Sequence, residues 1–332
     1  MQFDQVKRRE FMALLGGAAA WPLAAHAQQV RRVGMLMDTA EDNPEGQRRV
    51  TAFRQQLKQL GWVEGGNLRI DLRWGAGDIE RLRRNAAELV SLSPDALFAF
   101  ANAEVRPLSQ ATRTIPIIFV GASAPVEDGY VASFARPGGN ITGFTQYEPS
   151  MAGKWLATLK EISPQIARVA LLVNPDTAPL KGTFYLRAFD EAARTLGVEP
   201  ITSFVHSAGE VETAIAALEQ RGNSGLIVAP EAFTVKNREL IIALAASYRV
   251  AATYGLREFP ANGGLLSYGP DAVDTVRRAA TYIDRVLRGE RPSELPVQAP
   301  TKFELVINLK TAKAIGLTIP ETFLVRADEV IE

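Results

Sequence analysis

Short apolar or β-branched runs alternate with amphipathic segments of ten residues or more along most of this chain, and the series occurs twice. A strand-length run followed by a helix-period segment implies a crossover that brings the next strand back parallel to the last. The first series places strands at 30–37, 68–74, 96–101, 115–121 and 141–146, with helices at 45–60, 79–92 and 105–112. Within 79–92, Leu82, Ala86, Leu89 and Val90 share one face while Arg81, Arg83 and Arg84 turn outward. The second series runs through helix 152–162, strands 169–173, 199–204, 225–228 and 250–254, and helices 180–196, 210–220 and 236–248 between them. The fold class this grammar predicts is α/β, with two Rossmann-like lobes built on parallel sheets. After 255 the pattern changes: a strand at 263–269 bounded by glycines, a helix at 272–287, a proline-spaced link at 292–300 and a strand at 304–308. We read this part as the chain crossing back to the first lobe and again to the second. The expected division is 30–145 plus 256–287 for lobe 1, and 146–255 plus 288–332 for lobe 2. Three crossings make a hinge that opens and shuts a cleft.

The first twenty-seven residues stand apart from this pattern. Lys7-Arg8-Arg9-Glu10-Phe11 precedes an apolar run over 11–20 and then Ala25-His26-Ala27, which reads as basic region, hydrophobic region and small-residue cleavage site. Paired arginines followed by a nearby Phe are what the twin-arginine pathway reads, although the general route stays open. The apolar run falls short of the roughly 20 residues that span a bilayer, so cleavage near Ala27 and a periplasmic product without a direct membrane anchor are expected.

Residue counts exclude several chemistries. The chain holds 37 basic and 37 acidic residues, and removal of 1–27 leaves 34 against 35, so no basic surface for nucleic acid is expected. Cysteine is absent, and of two histidines only His206 lies beyond the signal, which argues against disulfides, thiol nucleophiles and Cys or multi-His metal sites. His206 sits where a strand enters a loop, a place for an exposed imidazole rather than a catalytic one. No G-x-S-x-G, Walker loop or G-x-G-x-x-G occurs beyond the signal. The expectation is a protein that binds and does not catalyse, needing no cofactor and no metal.

Four motifs then carry a resemblance. Gly61-Trp62-Val63-Glu64-Gly65-Gly66-Asn67, Ala135-Arg136-Pro137-Gly138-Gly139-Asn140-Ile141-Thr142-Gly143, Gly263-Gly264-Leu265-Leu266-Ser267-Tyr268-Gly269-Pro270 and Pro300-Thr301-Lys302-Phe303-Glu304-Leu305-Val306-Ile307-Asn308 occur in this order. Together they resemble the ABC-transporter substrate-binding protein family typified by tryptophan- and tyrosine-binding receptors. The resemblance covers 30–332 and implies a type 1 periplasmic-binding fold, two lobes with three crossovers, that delivers a small solute, an amino acid of aromatic type, to the membrane permease of an ABC transporter. One run departs from it: Gly121-Ala122-Ser123-Ala124-Pro125-Val126 stands where the family commonly shows Asp-Pro-Val.

Ligands of open parallel sheets bind beyond the carboxyl ends of the strands. That rule names Asp38 and Thr39 after the first strand, Asn102 and Ala103 after the third, and Ala122 and Ser123 after the fourth. From the second lobe it names Asn174, Asp176, Glu231 and Tyr254. Asn102 and Ser123, each ahead of a helical segment, suit a carboxylate. Glu231 or Asp176 suits an ammonium, and Tyr254 with Phe144 or Tyr268 suits an apolar wall. A monomer fits a hinged receptor. A sensory ligand-binding protein, or a receptor for a sugar or other small metabolite, would carry the same features.

Overall fold

The computed structural model describes residues 30–332, so the export signal expected at 1–27 lies outside the described residues. Strands β1 (Arg31–Met37), β2 (Leu68–Trp74), β3 (Ala96–Phe100), β4 (Ile117–Val120) and β5 (Ile141–Phe144) form one sheet in the order β2-β1-β3-β4-β5, with every neighbouring pair parallel. Helices α1 (Pro44–Gln59), α2 (Ile79–Ser91) and α3 (Asn102–Ala111) make the crossovers between the first four strands. Both faces of this sheet are covered, so β3, β4 and β5 are buried at every residue, while the edge strand β2 carries Arg69, Asp71 and Arg73. Ala96, Phe98 and Phe100 of β3 pack into one layer with Phe53 and Leu57 of α1, while Leu97 and Ala99 pack into the other with Leu89 and Leu108. Helix α2 begins at Asp78, whose carboxylate accepts from the Arg81 N–H at 2.9 Å, and buries Leu82, Ala86 and Leu89.

The second sheet joins β6 (Arg168–Val173), β7 (Glu199–Phe204), β8 (Ser224–Val228), β9 (Ala251–Tyr254), β10 (Leu266–Pro270), β11 (Phe303–Asn308) and β12 (Glu329–Ile331). Its order is β12-β11-β10-β9-β8-β6-β7, parallel except for β10 against β11. Helix α4 (Met151–Ile162) lays Trp155, Leu156 and Leu159 on one face of it. The opposite face is covered by Val211 and Ile215 of α6 (Ala208–Arg221), which follows α5 (Leu186–Leu196). Ile241 adds to that face from α8 (Arg238–Ser247), which follows the short α7 (Ala232–Lys236). The helix expected over 180–196 starts at Leu186, because Leu180, Lys181 and Gly182 all take positive φ and break it.

The chain passes between the sheets three times, through 145–150, at Asp271, and through 299–302. The division differs from the expected one on both sides of helix α10 (Ala272–Leu287). Strand β10, assigned from sequence to lobe 1 within 256–287, is hydrogen-bonded to β9 and β11 in the second sheet. Its lead-in, α9 (Glu258–Ala261), also sits in the second lobe, with Phe259 in the core under β8 and β9. Only α10 returns to the first lobe, where Val276, Ala280 and Ile283 pack against Phe53 and Phe98. Residues 288–298, assigned to lobe 2, stay with lobe 1. Leu295 and Val297 enter its cores, and the Gln298 N–H donates to the Gly143 carbonyl at 3.0 Å. An apolar strand reads the same in either sheet, and the ladder that decides between them joins distant segments.

Candidate functional site

The carboxyl ends of the strands in both lobes open onto one cavity of about 280 Å³. Asp38 and Thr39 line it from the end of β1, Phe100 to Ala103 from the end of β3, and Gly121 and Ser123 from the end of β4. Gln146 and Tyr147, on the first crossing, form part of the wall. The opposing lobe supplies Thr177, Pro179, Pro230, Glu231, Leu256 and Glu258. Ala101 takes φ 76 and ψ 171 at the entry to α3, a conformation L-residues rarely adopt, and this sharp turn sets Asn102 and Ala103 against the cavity.

Of the residues singled out from sequence, Asp38, Thr39, Asn102, Ala103, Ser123 and Glu231 therefore share one cavity. Four others lie elsewhere. Phe144 is buried on β5 against Tyr282, ring centroids 4.7 Å apart, with the Arg278 guanidinium 5.0 Å from its ring. Tyr254 is stacked on Phe259 at 4.4 Å in the core of the second lobe. Tyr268 is stacked on Phe303 at 5.8 Å, and its carbonyl accepts from Trp155 Nε1 at 2.7 Å. Asp176 is exposed and sits 2.8 Å from His206 Nδ1. The apolar wall comes instead from Phe100, Tyr147, Leu256 and the two prolines.

Glu231 lines the cavity, but its oxygens are engaged within its own lobe. They accept from the Phe233 N–H at 2.6 Å, the Thr234 N–H at 3.1 Å and the Thr177 hydroxyl, closing a capping box at the start of α7. Asn174 acts locally too: its Oδ1 accepts from the Asp176 and Thr177 N–H groups at 2.8 and 3.1 Å and shapes the turn that presents Thr177.

The strand-end rule names Asp38 but passes over the other charges that dominate the site. Arg49, 4% exposed on α1, donates to Glu258 of the other lobe at 2.7 Å and lies with its guanidinium 4.2 Å from the Phe100 ring centroid. Glu258, equally buried, also meets Arg238 at 3.5 Å. Beside this pair the Arg257 guanidinium joins Glu45 of α1 at 2.7 Å, a second ion pair across the lobes. Burial pushes the Asp38 carboxyl up to about 6, with the Arg49 charge opposing the rise and the Glu258 charge adding to it. Glu104, fully buried on α3, is held well above the carboxylate range by burial and by the Asp38 charge. A signal for both was present in the sequence: Arg49 falls on the stripe of Gly46, Val50, Phe53 and Leu57, and Glu104 on that of Val105 and Leu108, so each places a charge on an apolar helix face.

Two α/β lobes facing one cleft and joined by three crossings are the architecture of a type 1 periplasmic-binding protein, a receptor whose ligand lies between its lobes. The chain belongs to the ABC transporter substrate binding protein family, which it matches over residues 31–331. It is 24% identical over 276 residues to a tyrosine-binding protein of Clostridioides difficile (strain R20291), covering 83% of this chain and 79% of the relative. A conserved domain protein from Vibrio cholerae aligns with a TM-score of 0.82 at 24% identity, over 91% of this chain and 100% of that one. The ABC domain from Streptococcus pneumonia in complex with L-Trp aligns with a TM-score of 0.81 at 22% identity, over 91% and 99%. The family is one of substrate-binding proteins and not of enzymes. Among the described residues no helix is long and apolar enough to cross a membrane.

Proposed function

We propose that the protein captures an amino acid between its lobes in the periplasm and presents the closed form, as a monomer, to the permease of an ABC importer, without catalysing any change in its cargo. The observation that carries this reading is the cavity itself. Its walls come from both lobes, so a ligand touching both favours closure by its differential contacts. A volume of about 280 Å³ lies at the small end of ligand cavities and suits a solute of amino-acid size. The tyrosine-binding relative and the L-Trp complex point the same way. Micromolar affinity, about −8 kcal/mol, is enough to bias closure while still permitting release to a permease.

A thermal-shift and calorimetric screen of protein beginning at Gln28, against the common amino acids, tests this. At one hundred times Kd the cognate solute should add about 2.7 kcal/mol of stability and so raise Tm. Absence of any shift at millimolar concentration would sink the amino-acid reading. Export is tested separately. Replacing Arg8 and Arg9 together with lysine should leave the uncleaved precursor in the cytoplasm, read by fractionation and immunoblot, if the twin-arginine route is used. Normal cleavage and periplasmic recovery of that variant would reassign the protein to the general route.

A further inference from the structure

Resting on the reading of this cavity as an amino-acid site, we propose that the lobe 1 wall recognises the solute by its protonated amine, with Asp38 as the principal acceptor and Asn102 and Thr39 completing the recess. Among buried side-chain atoms without a hydrogen-bond partner, Asp38 Oδ1, Thr39 Oγ1 and Asn102 Oδ1 lie where β1 and β3 end. Asp38, Asn102 and Thr39 line the cavity, and Thr39 is only 9% exposed. Buried acceptors left unpaired cost free energy, and an ammonium brings three N–H donors and the opposite charge. Unpaired donors also line the cavity, at Arg49 Nε and Gln146 Nε2, where a carboxylate would find them.

This polarity is the reverse of the one the sequence suggested, in which Asn102 and Ser123 would hold the carboxylate and Glu231 the ammonium. Glu231 is already engaged by Thr177, Phe233 and Thr234. The charged groups acting on Asp38 are Arg49 of α1 and Glu258 of α9, and Glu104 of α3 feels its charge in turn. Arg49 is held by Glu258 across the cleft, and Asp38 keeps an oxygen without a hydrogen-bond partner for the solute.

Matched triads test the inference: L-tyrosine, L-tryptophan, L-leucine and L-glutamate, each with its deaminated acid and its α-decarboxylated amine, titrated calorimetrically into the full chain from Gln28. The expected result is binding of one or more amino acids, weaker binding of the corresponding amine, and none of the deaminated acid. Lowering the pH from 7.5 to 5 should raise Kd about tenfold as Asp38, near 6, takes up a proton. Asp38→Asn should weaken binding roughly tenfold to a hundredfold, the loss of one charge-assisted hydrogen bond, and flatten that pH profile. The same variant should melt higher than wild type without ligand. A carboxylate forced into a covered site binds protons more tightly when folded, so stability falls as pH rises from about 4 through 6, and Asn removes that loss at pH 7.5. A deaminated acid that binds as tightly as its amino acid overturns the inference alone, as does unchanged affinity in Asp38→Asn. Silence from all twelve compounds overturns the amino-acid reading beneath it.

Discussion

Replacing Glu258 with alanine is expected to destabilise the protein by about 3–5 kcal/mol, measured by urea or thermal denaturation at neutral pH. The Glu258 carboxylate lies between Arg49 at 2.7 Å and Arg238 at 3.5 Å. Arg49 is 4% exposed and lies against the Phe100 ring, so without Glu258 its charge stays buried and uncompensated. Arg49→Met combined with Glu258→Leu should recover most of the loss, because the cost lies in stranding one partner rather than in losing the pair. A loss below about 1 kcal/mol for Glu258→Ala would mean that Arg49 finds water, as surface pairs do. Since the two residues belong to opposite lobes, the single variant should also favour the open form and enlarge the radius of gyration in small-angle scattering.

Gly143→Ala should be nearly as damaging, at about 3 kcal/mol or more, lowering Tm by roughly 6–12 °C. A Cβ at this position of β5 would stand 2.1 Å from the Phe119 carbonyl oxygen and 2.7 Å from the Phe119 nitrogen, both backbone atoms of the neighbouring strand. The Gly143 carbonyl also accepts from the Gln298 N–H at 3.0 Å, so the strand cannot shift outward without breaking the bond that pins residues 288–298 to β5. Gly61→Ala serves as a control for the loss of a glycine as such, since its Cβ would meet nothing within 4 Å and its φ of 94° is the sole penalty there. It should cost about 1–2 kcal/mol. Equal effects from the two would show that backbone freedom, rather than close approach, decides the matter.

Periodicity made the layers legible. Leu82, Ala86 and Leu89 fall on the face of α2 that the i, i+4 spacing selects, and alternation along β3 divides its residues between two cores. Strand ends were legible too, because the rule that ligands sit beyond them concerns backbone direction. The aromatic wall was not. Phe144, Tyr254 and Tyr268 lie within strands, where side chains stand across the sheet and enter the covered layers; the cavity is reached mainly by residues beyond the last rung, such as Asp38 and Ser123. Nor does local pattern pair Arg49 with Glu258, 209 residues apart, or say that β10 joins the second sheet. Those facts belong to the packed chain, and their trace in the sequence is a charge on an apolar stripe.

The return of α10 to the first lobe has a consequence for biogenesis. Phe53, Phe98 and Ile118 are covered in part by Val276, Ala280 and Ile283, which are synthesised well over a hundred residues later. While a ribosome is still making the second lobe, the first has its sheet and three of its helices but lacks this cover, and an apolar face stays wet. Neither lobe can therefore finish before the other has begun. If export requires folded cargo, the quality check falls on the whole chain, with α10 as the piece that closes it, and a chain truncated before Ala272 would present an uncovered sheet to chaperones instead of a half-receptor.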